Sequence, residues 1–211
     1  MGFEFNHTFI FVEKDFPEES LFTGGDLHCT VQRDHAGQGT SAKFIMFPNH
    51  YIEFIWISQK GDARNNIVPL LEKADWKNSG WNPFGIAFSG FVPEDEKQYF
   101  LEYRPSYSSG KSIWIDKRSM ESKESPLLFF MEPAQGEGPE SHRPSRFLKD
   151  RPETRICDNQ IEKVIYYGPH FDKPSYLTSD LIEFSISTIY RLEVKLLTQS
   201  KEVSGEHFKV F

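Results

Sequence analysis

Cysteine is scarce in this chain: Cys29 and Cys157 are the two among 211 residues. They lack Cys-x-x-Cys spacing and allow one bridge at most, which excludes a disulfide-stapled scaffold and points to a reducing compartment. Long apolar runs are absent too, and none approaches the roughly 20 residues needed to cross a bilayer. The opening MGFEFNHTFIFVEKD has no basic n-region and carries acids within and just after its apolar run, so it does not read as a signal peptide. Gly2 follows Met1, but Asn6 breaks the myristoylation pattern. A cytoplasmic protein with no membrane partner is expected. Positive charge is in short supply: 24 Lys and Arg stand against 31 Asp and Glu, a net charge of −7. The most basic stretch, 143–155, has acids mixed into it. Without a basic patch, no nucleic-acid partner is expected.

Phenylalanine is abundant, with 20 residues, enough aromatic surface for a core and for the walls of an apolar pocket. The length suits one large domain or two fused modules. Period-two patterns mark strands over 3–12, 41–47, 51–58, 83–90, 113–116, 127–132, 161–168 and 190–197, with shorter ones over 26–33 and at the final HFKVF. In the first, Phe5, His7, Phe9 and Phe11 share one face. Proline starts and glycine or proline stops predict helices at 17–22, within 61–80, and over 93–103, and a further helix is expected over 175–184. Residues 133–160 form a long Pro-, Gly- and charge-rich excursion that contains His142. Strands outnumber helices too heavily for a doubly wound parallel sheet. The element order recurs without an exact sequence repeat, and it fits fused βαβββ units.

The stretch 35–57, HAGQGTSAKFIMFPNHYIEFIWI, holds the most informative residues. Its His-led, glycine-punctuated loop has neither the Gly-Lys-Ser/Thr of a P-loop nor the strand-to-helix setting of a dinucleotide fingerprint, so no nucleotide cofactor is expected. Two apolar arms follow, closed by Pro48-Asn49-His50. In the second arm Tyr51, Glu53, Ile55 and Ile57 alternate with Ile52, Phe54 and Trp56, and neither face is polar. A carboxylate in that position must be ion-paired, protonated, metal-bound or beside a wet cavity, because an unpaired buried charge is costly. His7, among phenylalanines, is either a core histidine with a backbone partner or a ligand.

Three motifs, in this order and spacing, resemble the glyoxalase-like members of the vicinal oxygen chelate superfamily. They are Asn6-His7 in the opening strand, the His-x-Gly-x-Gly-Thr loop His35-Ala36-Gly37-Gln38-Gly39-Thr40, and Tyr51-Ile52-Glu53 with its tryptophan-containing tail. The likeness is best over residues 5–57 and fades beyond about residue 110. It implies an α+β fold of paired βαβββ modules whose curled mixed β-sheets form a cup, with helices on the outside. Residues 1–60 would be the first module, 61–82 a linking helix and loop, and 83–211 a second, diverged module with its long loop at 133–160.

The resemblance further implies one divalent metal ion (Zn, Ni, Mn or Fe) held by His7 and Glu53, with Glu132 as the candidate ligand from the second module. His35 and Glu53 would be catalytic, and His35, Tyr51, Trp56, Trp81 and Trp114 would contact substrate. The second module departs from the pattern, because its opening Asn82-Pro83-Phe84-Gly85-Ile86-Ala87 offers no His or Glu. The implied activity is that of a metal-dependent lyase, isomerase or dioxygenase acting on a small oxygenated substrate. The alternative is a metal-free small-molecule binding protein of the resistance or sequestration type. A homodimer is compatible with both.

Overall fold

The computed structural model describes residues 2–14, 27, 30, 32–108, 112–134, 136–142, 144 and 155–197, and the backbone of 207–210. The expected helix at 17–22 and most of the expected strand at 26–33 lie outside the described residues, as does Cys29. An eight-stranded mixed sheet forms the centre. Its first four strands are β1 (Phe3–Phe11), β2 (Arg33–His35), β3 (Thr40–Met46) and β4 (Tyr51–Ile57). The other four are β5 (Phe84–Gly90), β6 (Phe100–Tyr103), β7 (Ile113–Asp116) and β8 (Leu127–Met131). Their order is β2-β3-β4-β1-β5-β8-β7-β6.

Each half repeats one pattern. The opening strand lies parallel to the fourth (β1 with β4, β5 with β8), and the second and third follow antiparallel toward the edge. The halves meet where β1 and β5 pair antiparallel. Eight strands at about 4.8 Å spacing would hold the two edges roughly 34 Å apart in a flat sheet. Here the Tyr103 hydroxyl, on the β6 edge, lies 3.4 Å from Gln38 Oε1, beside the β2 edge. The sheet is therefore curled until its ends touch.

Residues beyond β8 build a second mixed sheet from β9 (Gln160–Gly168), β10 (Ile182–Ile186), β11 (Arg191–Leu197) and β12 (His207–Val210), in the order β10-β9-β11-β12. Its apolar face, with Val164, Tyr166, Leu192 and Val194, packs on Ile52, Phe54, Phe84, Ile86, Leu128 and Phe130 of the large sheet, and Cys157 is buried with them. A polar lock joins the layers: Tyr176 donates to Asp116 Oδ2 at 2.6 Å, and Arg118 Nη2 reaches both Asp116 and Glu96 at 2.7 Å.

The other, concave face of the large sheet carries Phe9, Phe11, Phe44, Met46, Tyr51, Ile115 and Phe129. Short helices α1 (Lys60–Arg64), α2 (Leu70–Ala74) and α3 (Trp76–Ser79) link the halves, and α4 (Lys117–Glu121) follows β7. Although helices were expected outside the sheet, Ala63, Val68 and Leu70 from this linking region pack into the concave-face cluster. Lys73 of α2 is wholly buried. Its Nζ lies 3.4 Å from Asn82 O and 5.1 Å from the centre of the Trp81 ring, and burial pushes its pKa down to about 7.

Two expected helices are strands. Residues 93–103 hold one 3-10 turn, Lys97–Tyr99, and then β6, because pairing with β7 satisfies this backbone and buries Phe100. Residues 175–184 run through a turn into β10, whose Ile-Glu-Phe-Ser-Ile alternates as a strand does and pairs with β9. The opening strand also departs from a strict period of two. Its register to β5 shifts between Phe5 and His7, so Asn6 is a β-bulge. Phe5 packs on the small-sheet side, while His7, Phe9 and Phe11 face the concave side. Among the described residues no helix is long and apolar enough to cross a membrane.

Candidate functional site

The bulge at Asn6 turns His7 onto the concave face and puts the Asn6 amide beside its ring. Asn6 Nδ2 donates to His142 O at 2.9 Å, which leaves Oδ1 to face His7 Nδ1 at 2.8 Å. On the neighbouring strand the register sets Tyr51 opposite His7 and Glu53 opposite Phe9. Tyr51 stacks on the His7 ring at 4.2 Å and Phe129 meets it edge-on at 5.8 Å. The ring is thus clamped with Nε2 toward Glu53, 3.5 Å from Oε2.

His35 comes from the end of β2, and the following turn folds it back over Glu53. Gly37 and Gly39 take positive φ (77° and 84°). At Gly39 a Cβ would run into the backbone of Gln59 and Ala63, so the close approach of this turn to α1 requires glycine. The carbonyl of Gly39 accepts the amides of Ser58 and Gln59, each at 3.0 Å. His35 Nε2 then lies 3.7 Å from Glu53 Oε1, so one carboxylate stands between two imidazoles. His7 is 3%, His35 6% and Glu53 8% exposed; the groups interact shielded from bulk water.

Behind His35 the contacts continue. Its Nδ1 lies 2.9 Å from Thr40 Oγ1, which accepts from Gln38 Nε2 at 2.8 Å. Gln38 Oε1 accepts from the hydroxyls of Tyr107 at 3.2 Å and Tyr103 at 3.4 Å. Asn66 Nδ2 donates to the Tyr103 oxygen at 2.9 Å, and Tyr107 stacks on the His35 ring at 4.6 Å.

Burial alone would raise the Glu53 carboxyl, but the hydrogen bond from His7 and the nearby charges of His35, His7 and Arg33 outweigh it and hold the group below its ordinary value. Glu53 is therefore ionised at neutral pH. Burial lowers the His35 pKa, against the opposite pull of Glu53, so its ring is neutral there. Burial likewise raises Tyr51 and Tyr107, whose phenols stay protonated. The arrangement can hold a proton or a cation against Glu53 and can offer a ring N–H or lone pair beside it.

The residues singled out from sequence divide between the two faces. His7, His35, Tyr51 and Glu53 come together. Trp56 alternates to the face opposite Glu53, though it shares with His35 a cavity of about 290 Å³ against the glycine turn. Trp114 packs on the small-sheet side, and half-buried Trp81 lies by Lys73. Glu132 falls one residue past the end of β8, where Phe129 is the residue aligned, through Ala87, with His7. Among the described residues, no group of three or more His, Cys, Asp or Glu is disposed to hold a metal ion. Sequence reading missed Asn6 as a clamp, Gln38, Tyr103 and Tyr107. An alternation that breaks between Phe5 and His7 leaves no mark in composition, and the tyrosines are remote from Gln38 in the chain.

No family model matches the chain, and no curated protein does. Among solved structures, it is similar to one described as a crystal structure of a hypothetical protein from Staphylococcus aureus, with a TM-score of 0.54 and 13% identity over 90% of this chain and 88% of that one. At this identity the likeness speaks for the fold alone, a curled mixed α+β architecture.

Proposed function

We propose that this protein is a glyoxalase-like enzyme whose curled sheet forms a cup, with His7 Nε2 and Glu53 holding one divalent cation beside a small oxygenated substrate. One observation carries the reading. Asn6 Oδ1 faces His7 Nδ1, which turns the Nε2 of the clamped ring toward an ionised carboxylate 3.5 Å away. A nitrogen and a carboxylate oxygen thus converge in a pocket shielded from bulk water, where a cation bound by both would be satisfied. An imidazole nitrogen and a carboxylate are donors that Zn, Ni, Mn or Fe accept, and as two ligands they would leave the remaining positions to substrate oxygens or water.

Such an ion would supply Lewis acidity toward a substrate oxygen. Asn6, Tyr51 and Phe129 orient the His7 ring. Glu53, held below its ordinary pKa, would supply the negative charge. His35 is placed to exchange a proton with a substrate oxygen in lyase, isomerase or dioxygenase chemistry. Glu132, one residue past the end of β8, is not needed for this reading.

The metal-free binding protein is the second reading. One observation favours it: the strands beyond His7 contribute Ala87 and Phe129, neither of which can ligate. One experiment separates the two. Purified protein is dialysed against Zn²⁺, Ni²⁺, Mn²⁺ and Fe²⁺ in turn, with bound metal and melting temperature measured. The expected result is one ion per chain, a raised melting temperature, and an affinity at least ~100-fold weaker in Glu53→Ala. Wild-type protein that takes up none of the four ions would sink the enzyme reading.

A further inference from the structure

We propose that the seam between the two sheets carries a second small-molecule site: an aromatic slot at the carboxyl ends of β9 and β10 that binds a one- or two-ring aromatic carboxylate through Lys173. The slot is separate from the cup. Phe84 and Tyr166 belong to the core between the sheets, whereas Glu53 and the His7 ring stacked on Tyr51 lie on the concave face.

Its floor is Phe84 and Tyr166, 1% and 3% exposed, whose ring centres lie 5.6 Å apart. Its walls are Phe184, stacked on Tyr166 at 5.2 Å, and Phe171, edge-on to Phe184 at 5.0 Å. The mouth is exposed at His170, Lys173 and Ile186. The wall segment is held at both ends without a ligand. Ser187 N donates to Gly168 O at 2.7 Å, Pro169 and Pro174 restrict the backbone between them, and Ser175 and Tyr176 are tied to Glu96 and Asp116. A preformed slot spares its ligand the cost of ordering the walls. The cavity measures about 240 Å³, below the roughly 300 Å³ at which pockets for drug-sized ligands begin. That size admits one or two fused rings, and stacked aromatic walls favour a planar occupant.

Charge selects the rest of the ligand. Lys173 is the one charged residue in the lining, and no Asp or Glu contributes to it. Its Nζ stands 5.5 Å from the centre of the Phe184 ring, and among the described residues it forms no ion pair. Glu183, on the wall strand, is turned out of the lining and paired with Lys163 at 3.1 Å. The chain as a whole carries a charge of −7, but at physiological salt charges beyond about 8 Å are largely screened. The ammonium at the mouth therefore decides: it accepts a carboxylate and repels a cation. A flat ring on the floor with its carboxylate at Lys173 would also cover Ile186, which is 78% exposed.

The test uses the full chain labelled with ¹⁵N, with indole-3-acetate as the probe and its neutral amide, indole-3-acetamide, as the control. Dissociation constants come from calorimetry and the location from backbone shift changes. Expected is a shift pattern centred on residues 166–173 and 184–186, with the acid bound about tenfold more tightly than the amide, as for a charge-assisted contact. Lys173→Gln, at an exposed position, should erase that preference. Ile186→Glu, which sets a like charge at the mouth, should weaken the acid and spare the amide. Glu53→Ala should bind the probe as wild type does, so this site stands or falls apart from the cation reading. No binding of the acid at concentrations up to about 5 mM, equal affinity for acid and amide, or an unchanged preference in Lys173→Gln overturns the inference. So do shifts centred on the concave face, and so does dimerisation through this rim that excludes the probe.

Discussion

The two halves of the large sheet share one strand order and one pattern of pairing, yet their concave faces differ in kind. The first half turns His7, Glu53 and His35 to that face and surrounds them with Asn6, Gln38 and Thr40. The second turns Ala87, Ile115, Leu127 and Phe129 to it. The same backbone hydrogen bonds form in both, because strand pairing asks nothing of a side chain except that it fit its face. A duplicated architecture can therefore keep its chemistry in one half and its packing in the other. The second half reaches the site through Phe129 and through two tyrosine hydroxyls brought round by the curl of the sheet.

The largest test of this contrast is a cavity in the packing half. Phe130 is wholly buried, stacked on Phe88 and met edge-on by Phe100 and Tyr176. Phe130→Ala is expected to cost about 3–5 kcal/mol in denaturant unfolding, with the histidine signals of the folded protein unmoved. A shift in those signals would mean that the halves are coupled more tightly than their contacts indicate.

Lys73, in the segment joining the halves, comes next. Its pKa falls from 10.5 to about 7 through burial, and it has no carboxylate partner among the described residues. The unfolded chain therefore binds the proton more strongly between those values, and stability rises with pH from about 7 toward 10.5. Lys73→Met should gain on the order of 2 kcal/mol at neutral pH and lose that advantage near pH ~10. A variant without gain at neutral pH would show that the amine is solvated.

In the chemical half, Gly39→Ala should cost about 1–3 kcal/mol, from its positive φ and its collision with α1, and should disturb His35 before His7. Equal disturbance of both rings would break the separation of their two clamps.

Acid provides the smallest effect. His35 and Glu53 both lie below their ordinary values of 6.5 and 4.5. In each case the unfolded chain takes up its proton at higher pH than the folded one. Their contribution is thus complete above about pH 6.5 and is lost on acidification, first through His35 and then, below 4.5, through Glu53. Denaturation midpoints between about pH 7 and pH 4 should fall by the equivalent of about 1 kcal/mol, with the lower step flattened in Glu53→Gln.

Much of the fold was legible because strands carry a local signature. Alternation located most of the strands, and the acid inside YIEFIWI announced itself against apolar neighbours. His7, His35 and Tyr51 were picked out with it, and they are the residues that assemble. Even the opposite facing of Trp56 was implicit in that alternation. Where helices were expected at 93–103 and 175–184, proline starts and acidic first turns were outweighed by strand partners supplied from elsewhere in the chain.

What the sequence determined by itself was therefore the kind of element at most positions and the presence of one anomalous carboxylate, both consequences of neighbours within a few residues. The tertiary structure decided which side chains meet that carboxylate. A one-residue bulge chose the face of His7, and the curl of the sheet carried Tyr103 to Gln38 across 65 positions of chain. Register and curl are set by the sum of many distant backbone pairings, so no local pattern encodes them.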